Sequence, residues 1–125
     1  MTSDQSTKFV AIVDDDKSVQ SALQDLMEAE GLSARCFESA EELLESGLQR
    51  RAACLIVDIR MPGMSGLELQ ARLKVDRLNT PIIFITAHGD ARVRMQAMRE
   101  GAAEFLVKPF DDQVLLNRVR AALDM

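Results

Sequence analysis

The stretch FVAIVDDDKS, residues 9–18, places five apolar or small residues directly before three successive carboxylates, Asp14, Asp15 and Asp16. A short apolar run with β-branched residues is typical of a strand that is covered on both faces. Two carboxylates about 4 Å apart repel each other by roughly 4 kcal/mol at an effective dielectric near 20. The cluster therefore either spreads its charges into water or holds a cation.

Apolar runs of the same kind recur along the chain and alternate with segments of helical periodicity. The further strands are predicted at ARCF (34–37), ACLIV (53–57), PIIFIT (81–86) and EFLV (104–107), and the helices at 19–27, 40–44, 65–73, 91–99 and 111–123, with Ser39, Ser65 and Asp111 as N-caps. Strict alternation of strands and helices predicts an α/β fold, a doubly wound, five-stranded parallel sheet with five helices on its two faces. We expect a three-layer sandwich with the strand order 2-1-3-4-5, which is adopted by analogy with other such sheets.

The predicted strands end in residues that carry chemistry. Asp14 and Asp15 follow the first strand, Asp58 the third, Thr86 ends the fourth and Lys108 follows the fifth. Ligands of such sheets bind beyond the carboxyl ends of the strands where the strand order reverses, which is between strands one and three in this order. All three acids would meet there. Three carboxylates suit Mg²⁺, which bridges carboxylates to a phosphate.

Length and composition exclude several classes of protein. The 125 residues, 47% of them hydrophobic, are enough for one domain with a single core, and we expect a flexible arm at 1–8 followed by the domain at 9–123. A formal net charge of −5 argues against nucleic-acid binding by this chain. Neither a membrane span nor a signal peptide is recognisable, so we expect a cytoplasmic protein without membrane contact. Cys36 and Cys54 fit no metal-ligand spacing and are predicted to be buried free thiols without a function.

Four segments carry motifs at the predicted strand ends: IVDDD (12–16), LIVDIRMPGMSGLE (55–68), IIFITAHGD (82–90) and GAAEFLVKPF (101–110). Together they resemble the receiver domain of bacterial two-component response regulators (the CheY-like fold), and they are most similar to receivers of FixJ-type transcription factors of the LuxR/FixJ family. Each motif alone is modest, but all four stand in the expected order and strand context. The resemblance covers nearly the whole chain, from about residue 8 to 123.

The resemblance implies a role for each residue at the strand ends. Asp58 corresponds to the phosphoacceptor, and Asp14 and Asp15 to the acidic pair that binds Mg²⁺, or alternatively Mn²⁺, together with Asp58 and the backbone carbonyl of Arg60. Lys108 corresponds to the lysine that pairs with the phosphoryl oxygens. The chemistry would be nucleophilic attack of a carboxylate on phosphorus, giving an acyl phosphate.

The resemblance also implies a switch. Thr86 corresponds to the hydroxyl that moves to bond the phosphoryl group, and Phe105 to the aromatic switch residue, where many relatives have tyrosine. Because Phe105 lacks the hydroxyl, only packing is expected to hold it inward. Arg60 and His88 occupy the positions that tune the lifetime of the phosphoryl group, and the Lys108–Pro109 peptide is expected to be cis.

By the same resemblance, the phosphoryl donor is a phosphohistidine on a sensor histidine kinase. Phosphorylation is expected to switch the face of helix four, strand five and helix five, and thereby to control homodimerisation or output. Output is expected to be transcription through a DNA-binding domain that is not in this chain. Alternatively, the chain is a single-domain regulator that acts by protein contact. In either case the protein catalyses its own phosphorylation and dephosphorylation and is not a conventional enzyme.

Three other functions compete with this interpretation. A haloacid-dehalogenase-like phosphatase would use Asp14 as nucleophile and Asp16 as acid. A flavodoxin-like FMN binder needs an uncharged phosphate loop after strand one, and aspartates there would repel the phosphate. A degenerate receiver would act only as a docking module, although the expected site residues are all present.

Several residues also have plain structural interpretations. We expect Asp16 to be a solvated or helix-capping residue, Asp90 to cap helix four, and His88 to be exposed. Met95 and Met98 are expected in the core. Gly63 and Gly66 are expected to give the loop flexibility. Arg92, Arg94 and Arg99 are expected to form either a solvated face or a partner contact.

Overall fold

The computed structural model describes residues 8–124. Within that range five strands alternate with five α-helices in chain order: β1 Val10–Val13, α1 Lys17–Ala29, β2 Ala34–Phe37, α2 Ala40–Ser46, β3 Cys54–Asp58, α3 Gly66–Val75, β4 Ile82–Thr86, α4 Ala91–Arg99, β5 Glu104–Val107 and α5 Asp112–Ala122. A short 3-10 helix, Leu48–Arg50, follows α2 and was not predicted. Residues 1–7 of the expected flexible arm lie outside the described residues.

The sheet is parallel throughout and has the order β2-β1-β3-β4-β5, which confirms the predicted fold. Predicted and observed strands differ by one residue at some ends. Pro81, predicted as the first residue of β4, precedes the strand because it has no N–H to donate, although its carbonyl accepts from Leu55 N at 2.9 Å. β3 instead runs one residue further than predicted, to Asp58.

Alternation along the strands divides the core into two layers. In β1, Val10 and Ile12 face the layer under α1 and α5, whereas Ala11 and Val13 face the layer under α2, α3 and α4. Successive side chains of a strand point to opposite faces, so a strand buried on both sides is apolar at every position. The core therefore consists of two apolar layers, one on each face of the sheet.

Each α-helix begins with a polar side chain that accepts a backbone N–H bond. These N-caps are Asp16, Ser39, Ser65, Asp90 and Asp111. The capping roles predicted for Ser39, Ser65, Asp90 and Asp111 are confirmed, and Asp16, expected to be either solvated or helix-capping, caps α1. A carboxylate or hydroxyl oxygen satisfies N–H groups that have no intrahelical partner. Among residues 8–124, no helix is both long and apolar enough to cross a membrane.

The core prediction for two methionines of α4 is wrong. Met95 is 59% exposed and Met98 is 38% exposed. α4 turns Val93 and Ala97 toward the sheet, and Ala97 is its one fully buried residue. Each residue advances about 100° around a helix, so Met95, two positions from both, lies on the opposite side.

Both cysteines are free thiols, as predicted, but only Cys54 is fully buried; Cys36 is half-buried. Burial raises the pKa of the Cys54 thiol to about 12. Burial, and secondarily the charge of Glu28, raises the pKa of the Cys36 thiol. Since the thiolate is the reactive form, neither residue has the environment of a reactive cysteine.

Candidate functional site

Three carboxylates converge at the carboxyl edge of the sheet. β1 and β3 pair in parallel with Val13 opposite Val57, so the residues that follow, Asp14 and Asp58, emerge side by side. One carboxylate oxygen from each of Asp14, Asp15 and Asp58 lies within 4.8 Å of the other two. The predicted meeting of the three acids is therefore observed.

The three acids differ in their access to solvent. Asp14 is fully buried, Asp58 is 9% exposed and Asp15 is exposed. The backbone of Asp14 is fixed from α1, where Gln20 Nε2 donates to its carbonyl oxygen at 2.6 Å. Its carboxylate accepts from Asp16 N at 2.8 Å. Asp58 makes one longer bond, accepting at Oδ1 from Arg60 N at 3.3 Å. Asp58 is therefore the less constrained of the two inner carboxylates.

Lys108 brings one positive charge to the cluster from the end of β5. Its Nζ lies 3.5 Å from Asp14 Oδ2, and its backbone N–H donates to Thr86 O at 2.8 Å. The expected cis peptide between Lys108 and Pro109 is present. When ionised, three carboxylates and one ammonium carry a net charge of −2. That charge and a purely oxygen donor set fit a hard divalent cation.

The electrostatics of the cluster favour proton or cation uptake. Burial is the main cause that raises the pKa of Asp14, opposed by the Asp16 N–H bond and by Lys108. Burial also raises the pKa of Asp58, with repulsion from Asp14 as the second cause. Lys108 lowers both pKa values but does not cancel the rise. Ionising the site therefore costs free energy unless a cation binds.

We predict that the metal-free protein loses stability, through these acids, as pH rises above 4. The pKa of Asp58 is raised above its ordinary value of 3.8, so the folded state binds the proton more tightly than the unfolded state. The contribution of this tighter proton binding to the free energy of unfolding is complete below pH 3.8. It is lost as pH rises through the pKa of Asp58 in the folded state.

The test compares urea unfolding of wild type and Asp58→Asn in EDTA between pH 4 and 7, followed by far-UV circular dichroism because Trp and Tyr are absent. The wild-type free energy of unfolding should fall relative to that of the variant as pH rises. Mg²⁺ at ten times its dissociation constant should restore about 1.4 kcal/mol to wild type. Parallel pH curves for the two proteins would contradict the prediction.

Thr86 and His88 lie at the end of β4. Thr86 is 1% exposed, and its Oγ1 accepts from His88 N at 3.1 Å. His88 is exposed, as expected. The side chain of Arg60 is also exposed, and its backbone amide rather than its carbonyl contacts Asp58. The tuning roles of Arg60 and His88 and the ligand role of the Arg60 carbonyl stay predictions.

Phe105 is buried, with 2% of its surface exposed, and a charged side chain of α4 contacts it. The guanidinium carbon of Arg94 lies 5.9 Å from the ring centroid. Arg94 Nη1 also donates to the Phe105 carbonyl at 3.2 Å. The expectation that only packing retains Phe105 stays a prediction, and the sequence does not reveal that an α4 side chain reaches β5. Neither interpretation of Arg94, as part of a solvated face or as a partner contact, anticipated this contact.

Gly66 supports the site, although only loop flexibility was expected of it from the sequence. It is the first residue of α3, and a Cβ there would lie 2.5 Å from the Asp58 carbonyl oxygen and 3.0 Å from Ile59 Cα. Gly63 has φ +77°, and a Cβ on it would lie 2.5 Å from Glu41 Oε2. Both glycines allow close approach, and the pairings with Asp58 and Glu41 are visible only in the folded chain.

The hydrogen bonds of Asp16 and the burial of Asp14 argue against the phosphatase alternative. That function needs a free carboxylate on Asp16 to act as an acid. Asp16 Oδ1 instead accepts from Ser18 N at 2.8 Å and from Val19 N at 3.3 Å as the cap of α1. The proposed nucleophile of that alternative, Asp14, is fully buried.

Comparison with known proteins gives consistent matches. The response regulator receiver domain family matches residues 10–120. Nodulation protein W of Bradyrhizobium diazoefficiens is 45% identical over 120 residues, which are 95% of this chain and 53% of that protein. Response regulator protein TodT of Pseudomonas putida is 44% identical over 116 residues, 93% of this chain and 51% of that protein. The chain thus spans about half the length of the curated relatives it matches.

A solved structure gives the same result for the fold. The crystal structure of FixJ-N superposes with a TM-score of 0.84 at 36% identity, covering 94% of both chains.

Proposed function

The chain belongs to the response regulator receiver domain family, and on that premise we propose that Asp58 accepts a phosphoryl group from the histidine kinase of a two-component system. One observation carries the choice of acceptor. Asp58 keeps 9% of its surface exposed at the edge of the sheet, whereas Asp14 beside it is fully buried. A nucleophile must contact its substrate, so Asp58 is the better candidate of the two inner carboxylates, while Asp15, which is exposed, corresponds in the family to a metal ligand.

The proposed reaction is a single displacement at phosphorus. A carboxylate oxygen of Asp58 forms the new P–O bond as the P–N bond of a phosphohistidine breaks, and the donor imidazole takes the electron pair. Lys108, at the rim of the cluster with its side chain 25% exposed, is placed to pair with a phosphoryl oxygen. Such transfer depends mainly on positioning and charge stabilisation, to which Asp58 and Lys108 would contribute.

The donor set fits Mg²⁺, with Mn²⁺ as an alternative. Asp14, Asp15 and Asp58 would hold the ion, with the Arg60 carbonyl as the further ligand expected from the family. When bound, the ion would supply positive charge that stabilises the phosphoryl oxygens during transfer. The raised pKa values of Asp14 and Asp58 support this assignment, because a cation relieves the cost of ionising both.

The test of this proposal is phosphorylation by acetyl phosphate, followed by intact mass. We expect one labile phosphoryl group per chain, dependent on Mg²⁺ and lost in EDTA. Reductive trapping of the acyl phosphate and peptide mapping should identify Asp58. A label on Asp14 would support the phosphatase alternative instead. If neither acetyl phosphate nor a phosphorylated kinase labels the protein, the proposal is overturned. The chain would then be a degenerate receiver.

We further propose that phosphorylation acts on the face of α4, β5 and α5 through Thr86 and Phe105. This face carries apolar side chains that are unusually exposed, among them Met95 at 59% and Val107 at 40%. Exposed apolar surface of this kind supports an interaction with a partner. The partner is a second copy of this chain or, in the alternative, another protein.

For the dimer, we expect light scattering to give about twice the monomer mass when the protein is phosphorylated, and the monomer mass without donor. An equal mass in both conditions would favour output by contact with a different protein.

In this proposal the protein is not a conventional enzyme, since the acyl phosphate forms on one of its own side chains. It acts in the cytoplasm, as the sequence led us to expect, and does not itself contact DNA. The formal net charge of −5 supports that last point.

A further inference from the structure

Arg94 joins α4 to the outer strand of the sheet in a way that no sequence motif indicates. Its Nη1 donates to the carbonyl of Phe105 at 3.2 Å. Its guanidinium carbon lies 5.9 Å from the centroid of the same residue's ring. One side chain therefore contacts both the backbone and the ring of Phe105.

Apart from Arg94, α4 packs on the core through the partly buried Val93 and through Ala97. Ala97 is its one fully buried residue. Two contacts from α3 hold its C-terminal end: Gln70 Nε2 donates to Ala97 O at 3.1 Å, and Lys74 pairs with Glu100 at 2.6 Å. Arg94 makes the corresponding contact nearer the N-terminal end, toward β5.

Phe105 is retained in its pocket by two different kinds of contact. On the inner side, the ring belongs to the apolar layer under α2, α3 and α4, and β4 places Phe84 opposite it in register. On the outer side is Arg94, whose planar guanidinium can donate to a carbonyl and attract an aromatic ring at once. A phenylalanine has no hydroxyl with which to anchor itself, so an external anchor has more effect here than it would on tyrosine.

We propose that Arg94 is a positioning residue that holds the Phe105 ring inward and α4 against β5. Its importance for signalling rests on the proposed function, in which Phe105 links the phosphorylation site to the α4 face. Its effect on the ring does not depend on phosphorylation. Loss of Arg94 frees the Phe105 carbonyl and uncovers the ring, and the ratio of outward to inward Phe105 rises about fivefold.

The test observes the ring directly by 19F NMR of protein that carries 4-fluorophenylalanine. The chain has five phenylalanines, so five resonances are expected, and Phe105→Leu identifies the relevant one. A soluble gadolinium chelate reports the exposure of each ring to solvent through relaxation enhancement. The measurement is made without Mg²⁺ or phosphodonor.

The variants are Arg94→Met, which keeps an unbranched apolar side chain, and Arg94→Lys, which keeps the charge but loses the planar group. Arg92→Met, at an exposed arginine of the same helix, is the matched control. We expect increased relaxation of the Phe105 resonance in Arg94→Met, a smaller increase in Arg94→Lys, and none in Arg92→Met. The other four resonances should stay as in wild type, which shows that the variants are folded.

Unchanged relaxation of the Phe105 resonance in Arg94→Met would overturn the inference, as would an equal increase in Arg92→Met. The same variants are then labelled with acetyl phosphate and Mg²⁺. If the ring responds to Arg94 but no chain is phosphorylated, the positioning role stands and the proposed function fails. If all chains are phosphorylated and the ring does not respond, the function stands and the role of Arg94 fails.

Discussion

Asp58→Asn should reduce phosphoryl incorporation from acetyl phosphate to below about one-thousandth of wild type, because an amide is not a carboxylate nucleophile. The same change should stabilise the metal-free protein at pH 7 by about 1 kcal/mol, in the range typical of single substitutions. The reason is that Asp58 lies in a nearly buried position beside Asp14, and both burial and that neighbour raise its pKa. Removing its charge relieves a repulsion that the folded state otherwise carries at neutral pH.

Loss of activity together with a gain in stability is the signature to look for, because a variant that merely misfolds loses both. Intact mass measures incorporation, and urea unfolding in EDTA measures stability. Asp25→Asn, at an exposed position of α1, is the matched control and should change neither quantity. Asp58→Asn protein that is phosphorylated at the wild-type rate would rule out Asp58 as the acceptor.

Gly66→Ala should destabilise the fold by about 1–3 kcal/mol and slow phosphoryl incorporation by about 100-fold. The added Cβ would lie 2.5 Å from the Asp58 carbonyl oxygen and 3.1 Å from Phe84 Cε1. Overpacking at a site bounded by backbone costs energy in this range, since neither the strand nor the helix can move independently. A shift of about 1 Å in the acceptor is enough for a rate loss of that size.

Gly89→Ala is the matched control for this substitution. A Cβ on Gly89 would meet Val107 Cγ2 at 3.1 Å, and Val107 is 40% exposed and free to adjust. We expect a loss of stability well below that of Gly66→Ala and incorporation within about threefold of wild type. Equal effects for the two glycines would mean that the contact with Asp58 is not the cause.

Much of the fold follows from local patterns. Five apolar runs predicted the strands, and Ser39, Ser65 and Asp111 predicted three of the helix starts, because strand propensity and N-terminal capping act within a few residues. The position of Asp14 after β1 and of Asp58 at the end of β3 was likewise readable, since parallel strands end at one edge. The family resemblance supplied the roles predicted for Thr86 and Lys108, which composition and spacing alone do not give.

The sequence by itself thus determined the order of elements, the topology class and the acidic edge. Only the tertiary structure decided that Asp14 is buried while Asp58 keeps an opening, that Gly66 touches the Asp58 backbone, and that Arg94 covers Phe105. It also turned Met95 outward. The physical reason is the range of the interactions, since secondary-structure propensity and helix capping depend on near neighbours in sequence. Arg94 instead contacts Phe105, eleven residues away, through the packing of a helix on a strand. Lys108 meets Asp14 across 94 residues, and such a contact exists only after the sheet has formed.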